Sequence, residues 1–190
     1  RGPLNLSVTA IGEVEAGRAL RRDGAKIGDQ IWVSGRPGLA SLGLAQLQGK
    51  IELPGAWQRL CIAALEKPRP RVALGLALKG VASAAIDVSD GLLADIGHIL
   101  ERSGLAADIE FARLPQAALD ACADAAQSQH CLLAGGDDYE LAFAAPPVRR
   151  DNLEALATRL ALPLTRIGNL RQGPAGELIL RDASGNPMSA

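Results

Sequence analysis

Ala85-Ile86-Asp87-Val88-Ser89-Asp90-Gly91-Leu92 runs straight into an apolar stripe, and this junction constrains the fold more than any other stretch. Ile86 and Val88 alternate with Asp87 and Ser89, the pattern of a strand that buries one face and turns the other outward. Leu92, Leu93, Ile96, Ile99 and Leu100 then recur at three- and four-residue spacing. That spacing predicts an amphipathic helix, with Asp95, His98, Glu101 and Arg102 largely on its wet side. Asp87, Ser89 and Asp90 therefore meet at a strand end just before a helix N-terminus. Carboxylates there can hold a hard cation, and free backbone N–H groups can face phosphate oxygens. A second reading stands beside the first: Ser89 or Asp90 simply caps the helix. Capping leaves Asp87 unexplained.

The remaining chain sets limits on what this corner can serve. With 190 residues there is enough chain for a proper core and one domain or slightly more. Apolar residues make up 48%, yet no unbroken run approaches the ~18 that span a bilayer. A formal net charge of −1 with mixed signs gives no broad basic face for nucleic acid. Cys61, Cys122 and Cys131 lack CxxC spacing and only His98 and His130 are present, so neither a disulfide framework nor a zinc site is expected. Small buried filler in a reducing compartment is the expectation for the cysteines. The first residues do not read as a signal peptide, and the only Met is Met188, so the chain reads as a piece of something longer.

Periodicity along the chain predicts interspersed strands and helices. Leu4, Leu6, Val8 and Ala10 alternate with polar residues, which suggests a half-exposed strand over 4–14. A charged loop over 18–29 precedes a strand at 30–34. Gly35-Arg36-Pro37-Gly38 then opens a helix through Leu39, Leu42, Leu44 and Leu47; its glycines serve either the turn or a bound phosphate. Helices are expected over 56–65, 72–80, 117–126 and 151–160, and strands over 108–111, 139–143, 164–170 and 177–180. Without a strict βαβα rhythm, the expectation is an α+β domain, a mixed sheet covered by helices.

Several established chemistries are excluded by their missing motifs. There is no GxxxxGK[ST] loop, no protein-kinase signature and no GxSxG. Asp87 to Gly91 is one position short of an EF-hand, and the place for its terminal Glu falls near His98. What remains is two acidic clusters beside glycine, Asp87/Ser89/Asp90 and Asp137/Asp138/Glu140. They suit magnesium, which takes oxygen ligands and leaves room for substrate phosphates. For the second cluster a solvated turn is the competing reading, with Glu140 on a strand facing water.

Together, Ala85–Leu92 and Gly135-Gly136-Asp137-Asp138-Tyr139-Glu140-Leu141 resemble the paired signature of the thiamine-monophosphate kinases, within the aminoimidazole-ribonucleotide synthetase superfamily. Arg1-Gly2-Pro3-Leu4, Gly24-Ala25-Lys26-Ile27-Gly28-Asp29 and Arg166-Ile167-Gly168 are similar to that pattern too. The resemblance implies the superfamily's C-terminal fold and magnesium-dependent, direct transfer of the ATP γ-phosphoryl group to thiamine monophosphate, giving thiamine diphosphate. By the same resemblance Asp87 and Asp90 are magnesium ligands, Arg22 and Ser89 contact ATP, and Asp137 contacts the thiamine phosphate, where many members have Glu. No side chain need act as a nucleophile, because such transfer depends on positioning and charge neutralisation. A cytoplasmic homodimer with neither nucleic acid nor membrane as partner is implied.

The same resemblance leads us to expect an N-terminal domain before Arg1. It would carry further magnesium-binding aspartates, much of the nucleotide site and the main dimer interface. Residues 1–14 are then its last strand and 15–190 the C-terminal α+β domain. An aromatic end that contacts the thiamine moiety is expected beyond Ala190, and this chain alone is expected to be inactive. Two alternatives remain: another ATP-dependent enzyme of the superfamily, or a non-catalytic binding or assembly module.

Overall fold

A computed structural model describes residues 2–188; Arg1 lies outside the described residues. Seven strands form one sheet: β1 (Gln30–Ser34), β2 (Ala84–Val88), β3 (Ala106–Glu110), β4 (Glu140–Ala145), β5 (Leu164–Arg171), β6 (Leu178–Arg181) and β7 (Pro187–Met188). Their order is β2-β4-β1-β5-β3-β6-β7, antiparallel throughout except for the parallel pair β3/β6. The helices are α1 (Leu39–Leu47), α2 (Gly55–Glu66), α3 (Val72–Ala77), α4 (Leu92–Ser103), α5 (Ala117–Ala121), α6 (Ala125–Ala134) and α7 (Arg150–Leu160). This is the expected α+β fold with a mixed sheet.

Both faces of the sheet are covered, and strand alternation sorts the core into two layers. Ile31 and Val33 of β1, Ile86 and Val88 of β2, and Ala142 and Ala144 of β4 join Leu42, Leu92, Ile96, Leu100 and Leu132 in the larger cluster. Trp32 and Phe143, with stacked rings 6.4 Å apart, face Leu74, Leu78, Leu153 and Leu156 on the other side. β4, in the strand region expected at 139–143, buries both faces: a central antiparallel strand covered by helices reads apolar almost throughout.

Four expectations are corrected by the structure. Residues 4–14 form no strand here; Leu4, Leu6, Val8 and Ile11 are all more than four-fifths exposed. Alternation supplies a face, but a strand also needs a partner for its N–H and C=O groups. The single helix expected over 117–126 is two, because Cys122 is extended and the Asp124 carboxylate accepts from the Gln127 amide to start α6. Asp95 is not on the wet side of α4 but buried, and so is Glu140. The three cysteines are free and buried, and burial pushes the Cys61 thiol up to about 11.

Candidate functional site

The strand and helix of the Asp87 corner form where the periodicity placed them, as β2 and α4. On β2, Ile86 and Val88 are buried and Asp87 is exposed. Neither Ser89 nor Asp90 caps α4: its N-cap is Gly91, which has no side chain to cap with. The capping reading therefore fails. Asp90 is exposed and Ser89 half-buried.

Two backbone bonds carry the second motif to this corner. The Tyr139 amide donates to Val88 O at 2.8 Å and the Asp137 amide to Ser89 O at 2.9 Å. A Cβ on Gly136 would stand 2.5 Å from Ser89 O, so only glycine permits the approach. Asp137 and Tyr139 are held at φ of 67° and 51°, left-handed conformations that non-glycine residues seldom adopt. Asp137 is left exposed beside the Ser89-Asp90 turn.

An irregular segment delivers the basic group. The Ala85 amide donates to Arg21 O at 3.0 Å, and Ser103 Oγ donates to Arg22 O at 3.1 Å, so residues 21–22 run along β2 and α4. Arg22 Nη2 then lies 3.8 Å from Asp87 Oδ1, both side chains about half exposed. All five residues singled out by the resemblance, Arg22, Asp87, Ser89, Asp90 and Asp137, thus sit around the β2–α4 corner. A cleft of about 530 Å³ opens beside it, lined by Pro68, Pro70, Val72, Asp87, Tyr139 and Leu141. A second cleft, about 770 Å³ between Leu53, Phe111, Leu119 and Cys122, carries none of these groups.

The acidic cluster at 137–140 does not act as one. Asp138 Oδ2 accepts from the Gly38 amide at 2.6 Å and Oδ1 from the Ala40 amide at 3.3 Å, so this carboxylate fills the start of α1. In the turn Gly35-Arg36-Pro37-Gly38, two amides are therefore taken by the protein, Gly35 donating to Pro163 O at 2.9 Å and Gly38 to Asp138. Burial pushes the Asp138 carboxyl up to about 7, against the pull of those two amides. Glu140 accepts Ser34 Oγ at 2.5 Å and both Nε and Nη2 of Arg71. Only Asp137 remains open to a ligand.

One participant was missed by the sequence. The Asp95 carboxylate reaches back from α4, and its Oδ2 accepts the amides of Ser89, Asp90 and Gly91 at 2.9, 3.1 and 3.2 Å. Three N–H groups of the turn leading into α4 are thus already occupied. An acidic residue in the first turn of α4 was the available signal, but periodicity assigned it to solvent.

Among the described residues, no group of three or more His, Cys, Asp or Glu side chains could hold a metal ion. The donor set of Asp87 and Asp90 does fit magnesium, which is commonly bound by one or two carboxylates, waters and substrate phosphates.

A family model described as AIR synthase related protein, C-terminal domain, matches residues 26–181. The thiamine-monophosphate kinase of Salmonella typhimurium is 40% identical over 184 residues, covering 96% of this chain and 57% of that protein. The crystal structure of thiamine-monophosphate kinase from Stenotrophomonas maltophilia K279a matches with a TM-score of 0.79 at 43% identity, over 92% of this chain and 56% of that one. AaThiL complexed with AMPPCP and TMP matches with a TM-score of 0.73 at 28% identity, over 90% of this chain and 52% of that one. The chain therefore spans a little over half the length of these relatives.

Proposed function

From the fact that the chain belongs to the AIR synthase related protein family, whose C-terminal domain it carries, we propose that it is part of a thiamine-monophosphate kinase. The reaction is transfer of the ATP γ-phosphoryl group to the phosphate of thiamine monophosphate by direct in-line attack. One observation carries this reading: the backbone bonds from Asp137 to Ser89 and from Tyr139 to Val88 set the two acidic motifs side by side. The match to AaThiL complexed with AMPPCP and TMP supports both substrates.

Each residue has a role set by its exposure and chemistry. Asp87 and Asp90, the two open carboxylates of the corner, hold Mg²⁺. When bound, the metal neutralises charge on the phosphate oxygens and orients them. Arg22 leaves its loose pair with Asp87 to grip ATP phosphate through its planar, permanently charged fork. Ser89 adds a hydroxyl contact to ATP, and Asp137 orients the acceptor phosphate. Because no covalent intermediate is needed, alignment and electrostatics supply the catalysis. A cytoplasmic homodimer belongs to the same reading. No helix of the described residues is long and apolar enough to cross a membrane.

The test is chromatographic detection of thiamine diphosphate. Turnover is expected from a protein of the relatives' length that contains residues 1–190, and not from residues 1–190 alone. Asp87→Asn and Asp90→Asn should each abolish Mg²⁺-dependent nucleotide binding while the melting temperature stays put. An inactive longer protein refutes the assignment, and unchanged binding in both variants points to a non-catalytic module.

A further inference from the structure

We infer that Asp95 is the positioning residue of this site: its carboxylate sets the Ser89-Asp90 turn and makes the corner receive metal-bound phosphate rather than bare phosphate. This rests on the proposed metal and nucleotide roles of Asp87, Ser89 and Asp90, and deepens them.

Asp95 is 2% exposed, and among the described residues it has no ion pair with Lys or Arg. Buried carboxylates are ordinarily paired with a cation. Here three successive amides, from Ser89, Asp90 and Gly91, take that place on a single oxygen. An ordinary helix cap serves the N–H groups of the first turn. These three precede Leu92, so Asp95 holds the turn rather than the helix. The site carboxylate of Asp90 and the hydroxyl of Ser89 branch from the very backbone it fixes.

Consecutive N–H groups converging on one point form an anion-binding concavity. In this chain the concavity is filled by the protein's own carboxylate. Phosphate oxygens are denied those amides, and the buried negative charge behind Asp87 and Asp90 adds to the attraction for a divalent cation. Mispositioned supports of metal ligands typically lower metal affinity by roughly 10- to 100-fold.

The test is Mn²⁺ titration, followed by electron paramagnetic resonance, with AMPPCP and the protein of the relatives' length. Wild type should bind AMPPCP only when Mn²⁺ is present. Asp95→Ala should need at least about tenfold more Mn²⁺ for half-saturation and should bind AMPPCP detectably without metal, through the freed amides. Asp95→Asn, which keeps one acceptor oxygen but no charge, should fall between. A folded Asp95→Ala with wild-type Mn²⁺ dependence overturns the inference. Should Asp95→Ala not fold, an Asp95→Asn protein with unchanged Mn²⁺ dependence overturns it equally. Wild type that binds Mn²⁺-AMPPCP but forms no thiamine diphosphate refutes the proposed substrate and leaves Asp95's role standing. Wild type that binds no Mn²⁺-AMPPCP refutes both.

Discussion

The Asp137 amide donates to the Ser89 carbonyl at 2.9 Å, which joins the two acidic motifs through backbone rather than side chains. The arrangement leaves the carboxylates of Asp90 and Asp137 open to ligands, and that of Asp87 in only a loose pair with Arg22 at 3.8 Å. It also holds Asp137 and Tyr139 at positive φ, at a cost of about 1–3 kcal/mol each that the surrounding bonds over-determine.

Gly136→Ala tests this seam directly. Its Cβ would lie 2.5 Å from Ser89 O, a backbone atom that cannot swing aside. The variant should lose about 1–3 kcal/mol of stability in urea denaturation and separate the motifs, abolishing nucleotide binding. A variant as stable and as active as wild type would show that the seam is dispensable.

Asp137→Asn separates conformation from chemistry. Asn tolerates the left-handed backbone as Asp does, and the side chain is exposed, so stability should stay within about 0.5 kcal/mol. Thiamine diphosphate formation should fall, with KM for thiamine monophosphate raised and ATP binding unchanged. Equal kinetics in variant and wild type would remove Asp137 from the site.

Half-buried Arg71, in the wall of the cleft, and buried Glu140 form a two-pronged pair. Arg71→Leu leaves the Glu140 carboxylate with Ser34 Oγ as its remaining side-chain partner and should cost about 3–5 kcal/mol. Adding Glu140→Met should recover much of that loss, since an apolar pair carries no stranded charge. Denaturation midpoints of both single variants and the double variant decide; additive losses would contradict the pairing.

Asp138 makes stability depend on pH. Its folded carboxyl sits at about 7 because of burial, whereas an unfolded carboxyl titrates near ~4. Between those values the native state keeps a proton that the unfolded chain has released, so stability falls as pH rises through the window and levels above it. Asp138→Asn should flatten that slope, gaining on wild type from pH ~4 to ~7 in paired denaturation curves. A difference that stays constant with pH would locate the titration elsewhere.

Much of the fold was legible because it is local. Alternation at Ile86 and Val88 and the stripe from Leu92 to Leu100 depend only on neighbours in the chain, and β2 and α4 formed there. Asp95 defeated the same pattern. Its spacing points to solvent, yet three amides at the preceding turn offered better partners than water. The alternation over 4–14 likewise met no strand to pair with.

The amino-acid order alone determined β1, β2, α4, β5 and α7, and that two acid-rich turns lie beside glycine. Which acids stay open to a ligand was decided by the tertiary structure: Asp138 caps α1, Glu140 neutralises Arg71, Asp95 ties down a turn, and Asp87, Asp90 and Asp137 remain exposed. The physical reason is range. A carboxylate's role follows from whichever N–H or guanidinium the fold brings within about 3 Å, and those partners come from distant chain that no local period encodes.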